Sequence, residues 1–234
     1  MATKRFADRV AEAIHRLSPE LQACAHRDVD RLQQASLLTE RKLRRLIQDR
    51  TEDPVLRGAA AWVAGLIQDS SLADALERSV DERQPVMFLW EAAKTLSAFG
   101  KGAALFKRFL VESRDPEVRK LAAFGLGRLR DPSAVTFLMS VLEAPHEEPS
   151  VRGQAAEALG YLGDKSALDV LLSSAVDPVP EVRFWSAFAL GQLGDMRALP
   201  ILEKMVSSDH FRVDGWWEIS REAADAVNEI RRAK

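Results

Sequence analysis

The residue types that carry chemistry are few and scattered in this sequence. Of its four histidines, His15 and His26 lie near the start, His146 sits in Pro145-His146-Glu147-Glu148-Pro149, and His210 precedes Phe211. A zinc hydrolase needs His-Glu-x-x-His on one helix face, and a P-loop needs Gly-x-x-x-x-Gly-Lys-Ser/Thr between strand and helix; neither pattern occurs. Gly125-x-Gly127 lies inside a helical pattern with no strand before it and is not a nucleotide fingerprint. The single cysteine, Cys24, supports neither an internal disulfide nor a Cys-based zinc site. Glu147-Glu148 reads as a hydrated loop pair, and no serine–histidine nucleophile can be assembled from neighbouring positions. These residues predict no catalytic group, no metal and no cofactor.

Bulk charge narrows the partners. There are 33 Lys+Arg against 35 Asp+Glu, a formal net charge of −2, which argues against a dedicated duplex-DNA binder because such affinity comes from neutralising phosphates with a basic surface. Hydrophobic residues make up 47% and charged ones 29%, the balance of an ordinary globular chain. The apolar stretch from Gly58 to Ile67, bracketed by Arg57 and Asp69, falls well short of the ~18 residues that suggest a membrane span. The opening Met-Ala-Thr-Lys-Arg-Phe-Ala-Asp has no apolar run, so a cytoplasmic location without a secretory leader is expected. The basic cluster Arg41, Lys42, Arg44 and Arg45 reads as a solvated helix face, its alternative being a contact for an acidic partner.

The elements that must position these residues repeat. Similar segments start at Leu56, Phe88, Val118, Val151 and Val182, with a weaker copy at Ile219, and the spacings of 32, 30, 33, 31 and 37 define a period of about 32 residues. Each unit reads as two helices. First helices are represented by Ser133–Leu142, Ser166–Ser173 and Arg197–Val206, with Leu, Val and Ala at helical spacing. Asp53-Pro54, Asp115-Pro116 and Asp177-Pro178 mark the starts of second helices, since proline fits the first turn and aspartate caps its exposed N–H groups. Gly163 and Gly194 mark their ends. No stretch alternates with the period of two of a strand, so the chain is read as all-α. The first ~50 residues fit the repeat poorly; Ser18-Pro19-Glu20 and Thr39-Glu40 predict helix starts there. The expected organisation is one continuous stack: capping helices over 1–50, repeats over 51–214, and a terminal cap over 215–234 with a helix from about Trp216 to Arg232.

The pattern Asp-Pro-x-x-Val-Arg-x-x-Ala-Ala-x-Ala-Leu-Gly-x-Leu-Gly-Asp, clearest at Val151–Asp164 and Val182–Asp195, good at Val118–Asp131 and loose at Leu56–Asp69, resembles HEAT-like repeats of the phycobilisome-lyase type. The resemblance implies a right-handed α-solenoid, an armadillo/HEAT-like superhelix with its second helices along the concave side. That family includes scaffolds, bilin lyases and a diiron hydroxylase, with DNA glycosylases more distantly related. The hydroxylase needs several His-Glu pairs; this chain has one, in a linker, which removes that activity.

Taking the Val of Val-Arg as position zero and advancing ~100° per residue, positions 0, 4, 5, 8 and 11 form the core face. Small residues at positions 7 and 9, such as Ala158, Gly160, Ala189 and Gly191, allow close helix approach. The Arg at position 1 falls within the apolar arc and needs a partner. A structural ladder is expected, pairing Arg119, Arg152 and Arg183 with Asp131, Asp164 and Asp195, interrupted where Leu89 and Lys101 stand instead. Positions 2, 3, 6 and 10 face the opposite way and, given the resemblance, line a groove. They hold Trp62, Trp90, Lys94, Lys120, Phe124 and Arg128, and further on Tyr161, Phe184 and Phe188. Trp185 shares that stripe, and its charge turns acidic at Glu157, Asp225 and Glu229. An exposed apolar stripe marks a binding surface. The expected function is therefore a non-catalytic adaptor that holds a peptide or helix of a partner protein. A bilin lyase or pigment handler binding a linear tetrapyrrole is the alternative. A HEAT-like glycosylase, suggested only by Asp214-Gly215-Trp216-Trp217-Glu218, is the remote one.

Overall fold

The computed structural model describes residues 6–17, 19–34 and 37–232; the helix-start signal at Ser18 and the side chain of Cys24 lie outside what it describes. The chain is an α-solenoid, built among the described residues from fourteen helices with no strand. They fall into two units, Met1–Leu105 and Phe106–Lys234.

The first unit contains α1 (Phe6–His15), α2 (Pro19–Gln34), α3 (Glu40–Gln48), α4 (Pro54–Leu66), α5 (Ser70–Ser79) and α6 (Val86–Ala98). Thr39 caps α3 by accepting from the Lys42 N–H, and Asp53 caps α4 by accepting from Val55 and Leu56, with Pro54 in the first turn. The N-terminal helices pack on α4, and α4 packs on α6. Arg57 is 1% exposed and forms no ion pair among the described residues: it donates to the Ile47 carbonyl at 3.0 Å and lies 4.0 Å from the Phe88 ring centroid. Burial lowers the pKa of this guanidinium. The interruption expected at Lys101 is filled locally, by a 2.6 Å ion pair with Asp74.

Four helical hairpins make the second unit, beginning with α7 (Ala103–Glu112), which straddles the boundary. They pair α7 with α8 (Pro116–Leu129), α9 (Val135–Glu143) with α10 (Pro149–Leu162), α11 (Leu168–Ser174) with α12 (Pro180–Leu193), and α13 (Leu199–Ser208) with α14 (Ile219–Arg232). The second helices stack in register through a recurring contact. A Cβ placed on Gly127, Gly160 or Gly191 would lie 2.8–2.9 Å from the Cα of Ala158, Ala189 or Ala226 on the next second helix. Only glycine admits that approach. Gly163 and Gly194 end their helices at φ +67° and +66°; at the same place in α8 stands Arg130, at φ +52°.

The ladder exists with different acceptors. Arg119 bonds Glu147 through two nitrogens at 2.6 and 2.7 Å, Arg152 bonds Asp177 at 2.5 Å, and Arg183 bonds Asp209 at 2.6 and 3.1 Å. Each guanidinium also donates to a backbone carbonyl, of Ser113, Leu142 or Asp177. Asp131, Asp164 and Asp195 are not their partners. They cap the 3₁₀ turns opening the next first helices, accepting from Ser133, Ser166 and Arg197 N–H groups. Those bonds, with Lys107 beside Asp131 and the Arg197 side chain on Asp195, hold these two carboxyls at about 2. The reason is geometric: successive second helices lie in register, so an Arg in the first turn neighbours the loop that opens the next second helix. The Asp at the far end of a 14-residue helix is about 20 Å away. Glu147 is accordingly a ladder acceptor rather than a hydrated loop residue. Burial raises its pKa, and the bonds from Arg119 and the Glu148 N–H outweigh this and lower it.

Candidate functional site

The loop between α13 and α14 decides where the aromatic residues meet. It is closed by the Ser220 N–H donating to the Asp209 carbonyl at 2.8 Å, the Ile219 N–H to that of Phe211 at 3.0 Å, and a bridge between Arg212 and Glu218. Gly215 turns the tip at φ +79°. Trp216 and Trp217 therefore belong to this folded-back loop, and the terminal helix begins at Ile219 rather than near Trp216 as the sequence suggested. Folded back, the loop lays both indoles against the first turns of α12.

The result is a cleft of about 390 Å³ between α10, α12, α14 and the loop. Its walls carry Tyr161, Phe184, Trp185, Phe188, Trp216 and Trp217. These rings meet edge-on: Tyr161 and Phe188 at 5.5 Å between centroids, Trp185 and Phe188 at 5.8 Å, Trp185 and Trp216 at 4.9 Å, Trp216 and Trp217 at 5.6 Å. Such contacts hold a ring in place without covering both its faces. Trp216 is 40% exposed, whereas Phe184 is 1% exposed. Phe184 is thus the floor under Trp185, Trp216 and Trp217 and not an open groove residue as expected; the loop covers it.

Carboxylates complete the lining: Glu157, Glu222, Asp225 and Glu229, with Arg232 as its one basic residue, while Arg128 near Glu157 and Arg221 near Glu222 stand outside it. Glu157 accepts from Gln154 and from the Tyr161 hydroxyl at 3.3 Å, yet burial raises its pKa. Tyr161 is raised as well, by burial and by Glu157. Glu222 accepts from the Trp217 indole N–H at 2.8 Å and is pushed up to about 6, chiefly by burial and further by Asp225 and Glu229. Glu229 accepts from Gln192 at 3.0 Å.

The other expected groove residues lie elsewhere. In the first unit, Trp62 and Lys94 line a shallow cleft of about 240 Å³ with Leu66 and Glu91, and Lys94 pairs with Glu91 at 2.9 Å. Trp90 is half-buried on α6 and outside that lining. On α8, Lys120 and Phe124 are half-buried and Arg128 is exposed, all three outside the lining of the large cleft. Of the expected groove residues, then, only Tyr161, Phe184 and Phe188 come together there. Sequence reasoning left Trp216, Trp217 and Glu222 out of the groove. The available signal was the 37-residue last interval, which announces an insertion before α14.

No three His, Cys, Asp or Glu side chains among the described residues are grouped to hold a metal. No described helix is long and apolar enough to cross a membrane.

The stacked hairpins define a helical repeat protein, and the comparisons agree. The family model for HEAT repeats matches residues 103–172 and 143–220, half of the chain, and the protein belongs to that family. Among solved structures, an engineered protein superposes with TM-score 0.57 at 20% identity, covering 81% of this chain and 96% of that one. The complex of CpcE and CpcF of phycocyanin lyase from Nostoc sp. PCC7120 gives 0.53 at 19% identity, with 82% and 95% covered. A second engineered protein gives 0.51 at 18%, with 94% and 67% covered. At these identities the likeness is one of fold. No curated protein matches.

Proposed function

We propose that this HEAT-repeat protein is a non-catalytic adaptor that holds a segment of a partner protein in the aromatic cleft of its second unit. The carrying observation is the set of rings gathered by α10, α12 and the 209–218 loop, braced edge-on and left open at Trp216. Apolar area covered there by a partner contributes roughly 25 cal/mol per Å², and rings already fixed in place lose little freedom on binding. A backbone segment with one or two large side chains matches a cleft of this size.

The pigment-handling alternative rests on the shared fold with the phycocyanin lyase complex. The lining speaks against it, because the propionates of a linear tetrapyrrole would face Glu157, Glu222, Asp225 and Glu229. A DNA phosphate backbone meets the same obstacle. The adaptor reading is tested by replacing Tyr161 with a photo-crosslinking amino acid and illuminating the protein in lysate of its source organism. A discrete protein adduct is expected, and it should vanish when Trp185→Ala and Phe188→Ala are added. An adduct that persists in that variant would sink the reading, as would a visible-spectrum shift with a linear tetrapyrrole and no protein adduct.

A further inference from the structure

Resting on the adaptor reading and deepening it, we infer that the cleft recognises the guanidinium of an arginine in the partner segment. The first ground is charge. Four carboxylates line the cleft against Arg232, and among the described residues none of the four takes part in an ion pair. Elsewhere in the same unit buried carboxylates have arginines within 2.6 Å. Arg128 and Arg221 lie near enough to act on Glu157 and Glu222 without bonding them, so a cation entering the cleft supplies the direct partner that both lack. The second ground is the rings. A guanidinium is planar and weakly hydrated, so it can lie on an indole face while its N–H groups reach carboxylates at the edge. The molecule already displays half of this arrangement: the guanidinium carbon of Arg221 lies 5.1 Å from the Trp217 ring centroid. The third ground excludes a competitor. The carboxylates are spread along the lining, with no cluster of three able to hold a metal ion among the described residues. Dispersed negative charge beside aromatic faces suits an extended organic cation better than a point charge.

The test begins with a phage-displayed library of random heptapeptides selected on the full chain, with Trp185→Ala as the counter-selection. Arginine enrichment at one position, lost on the variant, is the expected result. A Trp185-dependent consensus without arginine overturns the arginine assignment and leaves the adaptor reading standing. No Trp185-dependent consensus at all overturns both. A blocked pentapeptide with central arginine is then titrated by tryptophan fluorescence beside its citrulline and lysine counterparts. Citrulline keeps the shape and removes the charge, and at least tenfold weaker binding is expected; equal affinity refutes the proposal. Lysine is expected to bind several-fold more weakly, and a preference for it refutes the guanidinium. Because Trp185→Ala also removes packing, the double variant Asp225→Asn/Glu229→Gln is measured too. It keeps every ring, and it should weaken the arginine peptide about tenfold at an unfolding midpoint no lower than the parent's; unchanged affinity refutes the proposal.

Discussion

Two parts of the second unit handle buried charge in opposite ways. In the loops leading to α10, α12 and α14, a carboxylate drawn inward meets an arginine of the preceding second helix: Glu147 with Arg119, Asp177 with Arg152, Asp209 with Arg183. In the cleft between the same helices, Glu157 and Glu222 are drawn inward with only neutral donors, Gln154, Tyr161 and the Trp217 indole. The ladder is complete in itself, and its job is to fix each repeat on the next. The cleft carboxylates have no ion pair among the described residues, and this is the charge that the proposed partner would meet.

The sharpest way to break this contrast is to remove one member of a ladder pair. Asp177→Ala strands the Arg152 guanidinium, whose side chain is 12% exposed, and should lower unfolding free energy by about 3–5 kcal/mol in chemical denaturation. A loss below ~1 kcal/mol would mean that the pair is no more than a surface contact. Next comes the register that sets both regions. Gly160→Ala puts a Cβ 2.9 Å from the Ala189 Cα, and the forced shift should cost about 1–3 kcal/mol. A smaller effect belongs to Glu222. Its carboxyl keeps its proton up to about pH 6 in the fold, against 4.5 ordinarily, so its negative charge disfavours the fold. That loss of stability grows as pH rises from about 4.5 through 6 and is complete above. Glu222→Gln, which can still accept from Trp217, should therefore raise the melting midpoint at pH 7, with the gain fading toward pH 4.5. A gain independent of pH would assign the effect to packing. The smallest change is expected from Asp225→Asn, exposed and unpaired among the described residues: stability within about 0.5 kcal/mol of the parent.

How far the sequence reveals the molecule follows from what repeats. The Val-Arg-x-x-Ala-Ala spacing identified the second helices because the same burial problem is solved the same way in each copy. The need of Arg119, Arg152 and Arg183 for acidic partners was legible for the same reason. Which acid answers it was not, because Asp131, Asp164 and Asp195 recur as regularly as the arginines yet serve as caps, while Glu147, Asp177 and Asp209 sit in loops of differing sequence. The candidate cleft was half legible. Tyr161, Trp185 and Phe188 share one stripe by helical angle, and the resemblance to HEAT-like repeats turned that stripe toward a groove. Trp216 and Trp217 reach the cleft through hydrogen bonds between residues 209 and 220, which no periodicity encodes. Arg57 shows the reverse case: in the position of the ladder arginines it rests on the Phe88 ring and a carbonyl, so identical placement in the repeat does not ensure an identical partner.

The insertion ahead of the last helix has a consequence for how such an array could diversify. The hairpins before it in the second unit are monotonous, and monotony is good for building length but poor for telling one target from another. With a single interval lengthened to 37 residues, the chain carries two indoles ahead of α14 while the Gly191–Ala226 approach repeats the contact made between the earlier second helices. If the proposed recognition holds, it depends on one short stretch, and transplanting residues 209–222 onto the end of another HEAT array with aromatic side chains in the matching places should carry the selectivity with it.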